Sequence, residues 1–263
     1  MPADSGIPGP PGDADVARVA ALIGDRSRAR VLMALADGRA LAASVLAAEA
    51  GVATSTISDH LAQLLDAKLL TAERQGRARY FRLADPSVAE ALEAIARIAP
   101  PEPIRSLRQG TRAHALRRAR TCYNHLAGRL GVTIMAALVH QGILTSGDGR
   151  HHTDAAEADR LSAPGADVTY RLTSRGRGEL AAFGLNVPAL GRQRPAIRYC
   201  VDWSEQRHHL AGPLGAALTS RVFELGWVRR GHHRRAVTLT DTGRRGLHET
   251  FGVPENWDAP STG

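Results

Sequence analysis

Two groups of side chains have types and spacing that could do chemistry. The first is a polar stripe of Ser55, Thr56, Ser58, Asp59, His60 and Gln63, followed by Arg74, Gln75, Arg77, Arg79 and Tyr80. Short hydroxyls and an amide on an exposed helix allow close approach to a duplex. They can donate to phosphate or read base edges in the major groove. Positions 74–82 hold four arginines and no acid, which suits phosphate pairing or entry into a minor groove. The second group lies in the other half of the chain: Cys122, His125, Cys200, His208 and His209, with Tyr123, Tyr199, Asp202 and Trp203 close in sequence. Thiols and imidazoles are soft donors, and three or four of them form a metal site when the fold gathers them. Cys122 and His125, at i and i+3, would share a helix face. Two alternatives stay open: buried free thiols acting as small hydrophobes, and a Cys122–Cys200 redox pair, which a reducing compartment disfavours. A third use is as lining of a small-molecule pocket between two packed units. The type of any metal is left unknown.

The elements that must position the first group can be read from caps and periodicity. Asp15 caps a helix through Ile23, with Val16, Val19, Ala20 and Ile23 on one face. A second helix follows Asp25 and stops at Asp37-Gly38. A third spans about 41–50 and ends at Gly51, where glycine permits a left-handed closing residue. A fourth, about 55–67 and capped by Ser55 or Thr54, places Ile57, Leu61, Leu64 and Leu65 on its inner side. Two alternating segments around Gln75-Gly76-Arg77-Ala78 predict a β-hairpin, the wing. A helix from about 86 to 98 closes the domain.

Three stretches in this order resemble the ArsR/SmtB family of winged helix-turn-helix regulators. They are Ile23-Gly24-Asp25-Arg26-Ser27-Arg28-Ala29-Arg30-Val31-Leu32, Thr54-Ser55-Thr56-Ile57-Ser58-Asp59-His60-Leu61-Ala62-Gln63-Leu64, and Arg74-Gln75-Gly76-Arg77-Ala78-Arg79-Tyr80-Phe81. The resemblance implies a homodimer built through the first and last helices of the domain, bound to an imperfect inverted repeat in double-stranded DNA. It also implies repression relieved by an inducer. Metal sensors of this family often carry Cys-x-Cys in the third helix. Here that stretch reads Leu41-Ala42-Ala43-Ser44-Val45-Leu46, without a ligand. Asp59 also departs from expectation, since phosphate repels a carboxylate, although it can accept from cytosine N4.

Composition sets bounds without identifying the reader of DNA. The 263 residues suit two domains. The net charge is +8, yet residues 1–99 hold 11 Lys and Arg against 12 Asp and Glu, and residues 100–263 hold 23 against 14. The basic excess therefore lies outside the winged helix. Residues 105–120 and Arg229, Arg230, Arg234 and Arg235 are expected either as solvated faces or as auxiliary phosphate contacts. No apolar run is long enough to span a membrane, and the first residues lack the pattern of a secretory leader, so the expected compartment is the cytoplasm.

The second half contains a repeat. His125-Leu126-Ala127-Gly128-Arg129-Leu130-Gly131 matches His209-Leu210-Ala211-Gly212-Pro213-Leu214-Gly215, and Leu172-Thr173-x-x-Gly176 matches Leu239-Thr240-x-x-Gly243. Each copy reads as helix, strand, turn, strand, helix, the first with a long polar turn over 146–167. The Leu-Thr-x-x-Gly pattern resembles the wing-to-helix junction of MarR-like winged helices. The expected fold is mainly α with small β-hairpins (α+β): a tail (1–14), a winged helix-turn-helix domain (15–98), a linker (99–104) and a C-terminal pair of winged-helix-like repeats (105–257, units about 105–188 and 189–257). The expected function is a ligand-responsive repressor. Alternatives are a protein-interaction adaptor and a thiol- or metal-based sensor. Enzymatic function finds no support in Gly-x-Gly-x-x-Gly, P-loop or Gly-x-Ser-x-Gly motifs.

Overall fold

The structure is a computed structural model and describes residues 13–76, 78–100, 102–145, 147, 149, 168–190 and 197–259. Arg77, nearly all of the tail, and the turn over 146–167 apart from Gly147 and Gly149 lie outside these.

Side-chain caps start the first helices. Asp15 accepts from the Arg18 N–H at 3.0 Å to open α1 (Val16–Ile23), and Asp25 accepts from the Arg28 N–H at 2.8 Å to open α2 (Arg26–Leu35). The expected third helix begins later. Leu41 and Ala42 form a short strand, β1 (Leu41–Ala42), because they pair with the wing and bury Leu41 beneath it; α3 (Ala43–Ala50) follows. Gly51 closes α3 at φ +73°, in the left-handed region glycine enters without strain. α4 (Thr54–Asp66) starts one residue earlier than expected. Its N-cap is Ala53, and no side chain caps it. β2 (Leu70–Gln75) and β3 (Ala78–Leu83) form the hairpin, and the sheet runs β1-β3-β2, all antiparallel. Asp85 caps α5 (Pro86–Ile98) through the Ser87 N–H at 2.8 Å. Ile57, Leu61 and Leu64 of α4 join Leu32, Leu35, Leu46 and Phe81 in one core.

After α6 (Leu107–Arg118), the chain runs twice through the same order. The first pass is β4 (Arg120–Cys122), β5 (His125–Ala127), α7 (Gly128–His140), β6 (Leu144–Thr145), β7 (Arg171–Leu172) and α8 (Ser174–Ala182), followed by the short α9 (Val187–Leu190). The second is β8 (Arg198–Val201), β9 (His208–Ala211), α10 (Gly212–Glu224), β10 (Val228–Arg230), β11 (Val237–Leu239) and α11 (Asp241–Phe251). The helix, hairpin and helix of each pass were expected. The hairpins β4–β5 and β8–β9 that precede them were not. The Leu-Thr-x-x-Gly pattern has a local cause. Thr173 and Thr240 accept from the N–H of Gly176 and Gly243 at 2.9 and 3.0 Å, capping α8 and α11. A Cβ on either glycine would collide with the carbonyl of Ile143 or Trp227.

A second core, including Leu130, Ile134, Leu138, Leu214, Leu218, Val222 and Phe251, unites both passes. It meets the first part of the chain through ion pairs. Arg235 pairs with Glu93 of α5, Arg234 with Glu49 of α3 at 2.6 Å, Arg230 with Asp37 at 3.7 Å, and Arg198 with Glu90 at 3.2 Å. Of Arg229, Arg230, Arg234 and Arg235, the last three are therefore paired with acids of the N-terminal part.

Candidate functional site

On α4, burying Ile57, Leu61 and Leu64 leaves Ser55, Thr56, Ser58, Asp59 and Gln63 exposed. The Ser58 hydroxyl donates back to the Thr54 carbonyl at 3.2 Å, and Gln63 accepts from Arg28 at 2.9 Å, which fixes its amide against α2. His60 departs from the expected set: it is half-buried and its Nδ1 faces Asp25 at 3.9 Å, so it packs inward at the start of α2. In the wing, Arg74, Gln75 and Arg79 are exposed. The Arg79 guanidinium lies over the Phe81 ring, 5.2 Å from its centroid, a cation–π contact that holds the charged end of the side chain beside the wing. Tyr80 is half-buried, opposite Glu73. Polar helix face and wing thus share one domain, held by one core.

The sulfur and nitrogen donors of the C-terminal half converge. Cys122, His125, Cys200 and His209 bring one ligand atom each to within 4.8 Å of one another. The expectation that Cys122 and His125 share a helix face is overturned. They are directly opposed partners across the β4–β5 hairpin, and Cys200 and His209 are directly opposed across β8–β9. A two-residue turn, with Tyr123 at φ +54°, makes i and i+3 face each other. Cys122, His125 and His209 are buried, Cys200 is half-buried, and both thiols are free. The Cys200 thiol beside it and burial push the Cys122 thiol up to about 11.

Asp202 anchors this region. It accepts from Arg120 at 2.9 Å, from the Gly128 N–H at 2.6 Å and from Ser204, and its Oδ2 lies 3.5 Å from His209 Nδ1. Burial alone would raise its carboxyl. Arg120, with help from His209, Ser204 and Gly128, outweighs burial and holds it at about 2. Arg120 is itself fully buried and lies 3.7 Å from Glu93.

The remaining candidates separate from the cluster. His208 bonds the Tyr170 hydroxyl at 2.7 Å and packs on Tyr199, ring centroids 4.1 Å apart. Tyr123 docks outward: its N–H donates to the Ala36 carbonyl at 2.7 Å and its ring lies against Gly38. Trp203, under Arg120 with 4.5 Å from guanidinium to ring, lines a cleft of about 920 Å³ between the two parts of the chain. Of the nine side chains considered for an effector, only Trp203 lines this cleft. The hairpin pairing was missed because spacing alone does not separate a helix from a tight turn. Asn124 after Tyr123 was the available signal. The third-helix metal position of the resembling family does not fit this chain, since residues 41–46 carry no thiol, imidazole or carboxylate.

A helix-turn-helix domain model matches residues 23–73. The HTH-type transcriptional regulator YdfF of Bacillus subtilis, itself uncharacterized, is 37% identical over 240 residues, covering 91% of this chain and 98% of that protein. The HTH-type transcriptional regulator CmtR of Mycobacterium tuberculosis is 35% identical over 83 residues, 32% of this chain and 70% of that protein. Among solved structures, the homodimeric winged helix-turn-helix domain of Mb0332 from Mycobacterium bovis, a possible ArsR-family regulator, is 28% identical and covers 32% of this chain and 85% of that one, at a TM-score of 0.29. An alignment of 240 residues must include the C-terminal half, so that half is shared with YdfF and is not a private appendage. The chain belongs to the HTH-type transcriptional regulators, with a winged helix-turn-helix in its N-terminal part.

Proposed function

We propose that this regulator represses transcription as a homodimer bound to an inverted repeat, and that a ligand of its C-terminal half releases it. In this reading residues 15–98 are the reader, 99–104 the linker and 105–257 the sensor. The observation that carries it is the solvent-facing polar side of α4 beside an arginine-bearing wing. Ser55, Thr56, Asp59 and Gln63 would meet base edges, and Arg74, Gln75, Arg77 and Arg79 would meet phosphates. Dimerisation is supported by α1, an apolar helix in which no residue is buried, with Val16 71% exposed, and by Ile98 at the end of α5, 81% exposed. Apolar surface left in this way on two helices favours a partner surface, and a second copy supplies one by symmetry. Such a protein would act where the chromosome is, in the cytoplasm. No helix among the described residues is long and apolar enough to cross a membrane.

The test is a gel shift with the protein's own upstream region and with random DNA over a salt series. Preference for the upstream region, with a slope losing about 0.9 per phosphate contact removed, is expected. Equal affinity for both DNAs would refute the reading. An Arg77→Ala, Arg79→Ala double variant should bind all sequences more weakly, and changes at Ser55 or Thr56 should alter preference.

A further inference from the structure

We propose that Cys122, His125, Cys200 and His209 form a four-ligand site for one borderline-soft divalent cation of the zinc and cadmium class, built where the hairpins β4–β5 and β8–β9 meet. The site itself stands independently of the repressor reading. Its effect on DNA rests on that reading.

Four observations support the site. The first is donor chemistry. Two thiols and two imidazoles make a Cys₂His₂ set, which favours tetrahedral zinc-like ions over hard, oxygen-seeking ones. Two thiolates would neutralise the ion, so the buried site carries no net charge, and two protons leave to solvent on binding. The second is geometry. A tetrahedral ion with M–S of about 2.3 Å and M–N of about 2.0–2.1 Å separates its donors by about 3.3–3.8 Å. The four atoms already lie within 4.8 Å of one another, so contraction by about 1 Å through side-chain torsions closes the shell.

The third is unmet hydrogen-bonding capacity. Nε2 of His125 and both ring nitrogens of His209 are buried with no hydrogen-bond partner among the described residues. Burying such groups unpaired is unfavourable unless a ligand satisfies them. His125 Nδ1 meets Asn124 Oδ1 at 3.3 Å, and His209 Nδ1, although not hydrogen-bonded, lies 3.5 Å from Asp202 Oδ2. An oxygen beside one ring nitrogen orients an imidazole to ligate through the other.

The fourth is reciprocal construction. A Cβ at Gly131 would sit 3.5 Å from His209 Cβ, and one at Gly215 would sit 3.2 Å from His125 Cβ. Each glycine is required first by a carbonyl of its own repeat, Leu126 at 2.6 Å and Leu210 at 2.7 Å, and each helix start packs reciprocally beside the other repeat's histidine. The two imidazoles face each other with centroids 5.2 Å apart. Ordinary core packing of two hydrophobic cysteines requires neither the histidine nitrogens nor their symmetry. The shell has four protein donors and is enclosed, which suits sensing or bracing and not catalysis, where an open position is kept.

The site also touches the rest of the molecule at two points. Tyr123, in the turn between Cys122 and His125, docks on Ala36. Asp202, beside His209, holds Arg120, which lies 3.7 Å from Glu93 on α5.

The test is a cobalt(II) titration of the reduced, chelator-treated full-length protein, followed by displacement with zinc or cadmium. One equivalent is expected, with a thiolate-to-cobalt charge-transfer band and visible bands of tetrahedral intensity. Loss of both bands in Cys200→Ser, whose half-buried side chain tolerates the change, and in His209→Gln, each checked for native circular dichroism, supports the assignment. If the wild-type protein shows no thiolate band, or if Cys122→Ser/Cys200→Ser binds cobalt as wild type does, the proposal is overturned. A gel shift with and without zinc is read separately. If zinc binds and operator affinity does not move, the site stands and the ion is not the releasing ligand. If zinc fails to bind and the operator is still recognised, the site falls and the repressor reading survives.

Discussion

Replacing Glu93 should be among the most damaging single changes outside the hydrophobic cores. Its carboxylate pairs with Arg235 and lies 3.7 Å from Arg120, and the three side chains are 6%, 5% and 0% exposed. With Asp202 on the far side of Arg120, two acids balance two guanidiniums. Glu93→Ala leaves one buried guanidinium uncompensated, and breaking a buried pair in this way costs about 3–5 kcal/mol. An exposed pair such as Arg18–Asp66 would cost about 0–1 kcal/mol. The assay is urea unfolding followed by far-ultraviolet circular dichroism and by fluorescence of Trp203, Trp227 and Trp257, all in the C-terminal half. Coincident transitions license a single free energy. Glu93→Ala/Arg235→Ala should be less destabilised than the sum of its parts, because removing both partners removes the stranded charge. The pH dependence has a definite sign. Burial opposes ionisation of Glu93, but Arg235 and Arg120 prevail and hold it below its ordinary 4.5. Its contribution is therefore complete above that value and is lost as pH falls through the folded value. A Glu93→Ala variant within about 1 kcal/mol of wild type would refute the reasoning, since that is the range of a solvated pair.

Other changes have equally definite expectations. Ile98→Glu, at a side chain 81% exposed, should leave the fold intact and halve the mass seen by light scattering; a retained dimer would exclude the α1–α5 surface. Arg74→Ala should weaken specific and random DNA alike and reduce the salt slope by about 0.9, read by gel shift over a salt series. Gly131→Ala would set a Cβ 2.6 Å from the Leu126 carbonyl, so about 1–3 kcal/mol of destabilisation is expected from overpacking against backbone, measured by thermal unfolding.

Much of the N-terminal domain is legible because its signals are local. Asp15, Asp25, Asp85 and Gly51 each act on residues within one turn, and the period of Ile57, Leu61 and Leu64 defines the buried side of α4 with no knowledge of partners. Leu41 is illegible for the opposite reason: its strand exists only because Phe81, 40 positions later, pairs with it. His60 reads as exposed by its position between polar neighbours, and only packing on Asp25 turns it inward. The thiol–imidazole cluster was half visible. The repeated His-Leu-Ala-Gly box aligns His125 with His209, but the two hairpin loops differ in length, so the cysteines fall three and nine residues ahead and do not align. Register across a hairpin, and not offset in the repeat, brings Cys200 opposite His209.

The charge distribution is resolved by the same contacts. Asp37, Glu49, Glu90 and Glu93 of the N-terminal part face Arg230, Arg234, Arg198 and Arg235 of the C-terminal part, so part of the basic excess is neutralised within the molecule and is not offered to DNA. Three of those acids occupy consequential helices. Glu49 lies in α3, which precedes and packs on α4. Glu90 and Glu93 lie in α5, whose exposed end is proposed above as part of the dimer surface. Arg235 exchanges hydrogen bonds with Thr121 of β4, at 2.8 and 3.1 Å, so a shift of the hairpin carrying Cys122 would be felt through Arg235 at α5 and, through its neighbour Arg234, at α3. Thermodynamic reciprocity then gives a strict condition on the metal proposal. If a bound ion weakens operator affinity by some factor, operator DNA must weaken the affinity for that ion by the same factor. A metal titration of the protein–DNA complex that returns the affinity of the free protein would rule out coupling between the two sites, whatever either site binds alone.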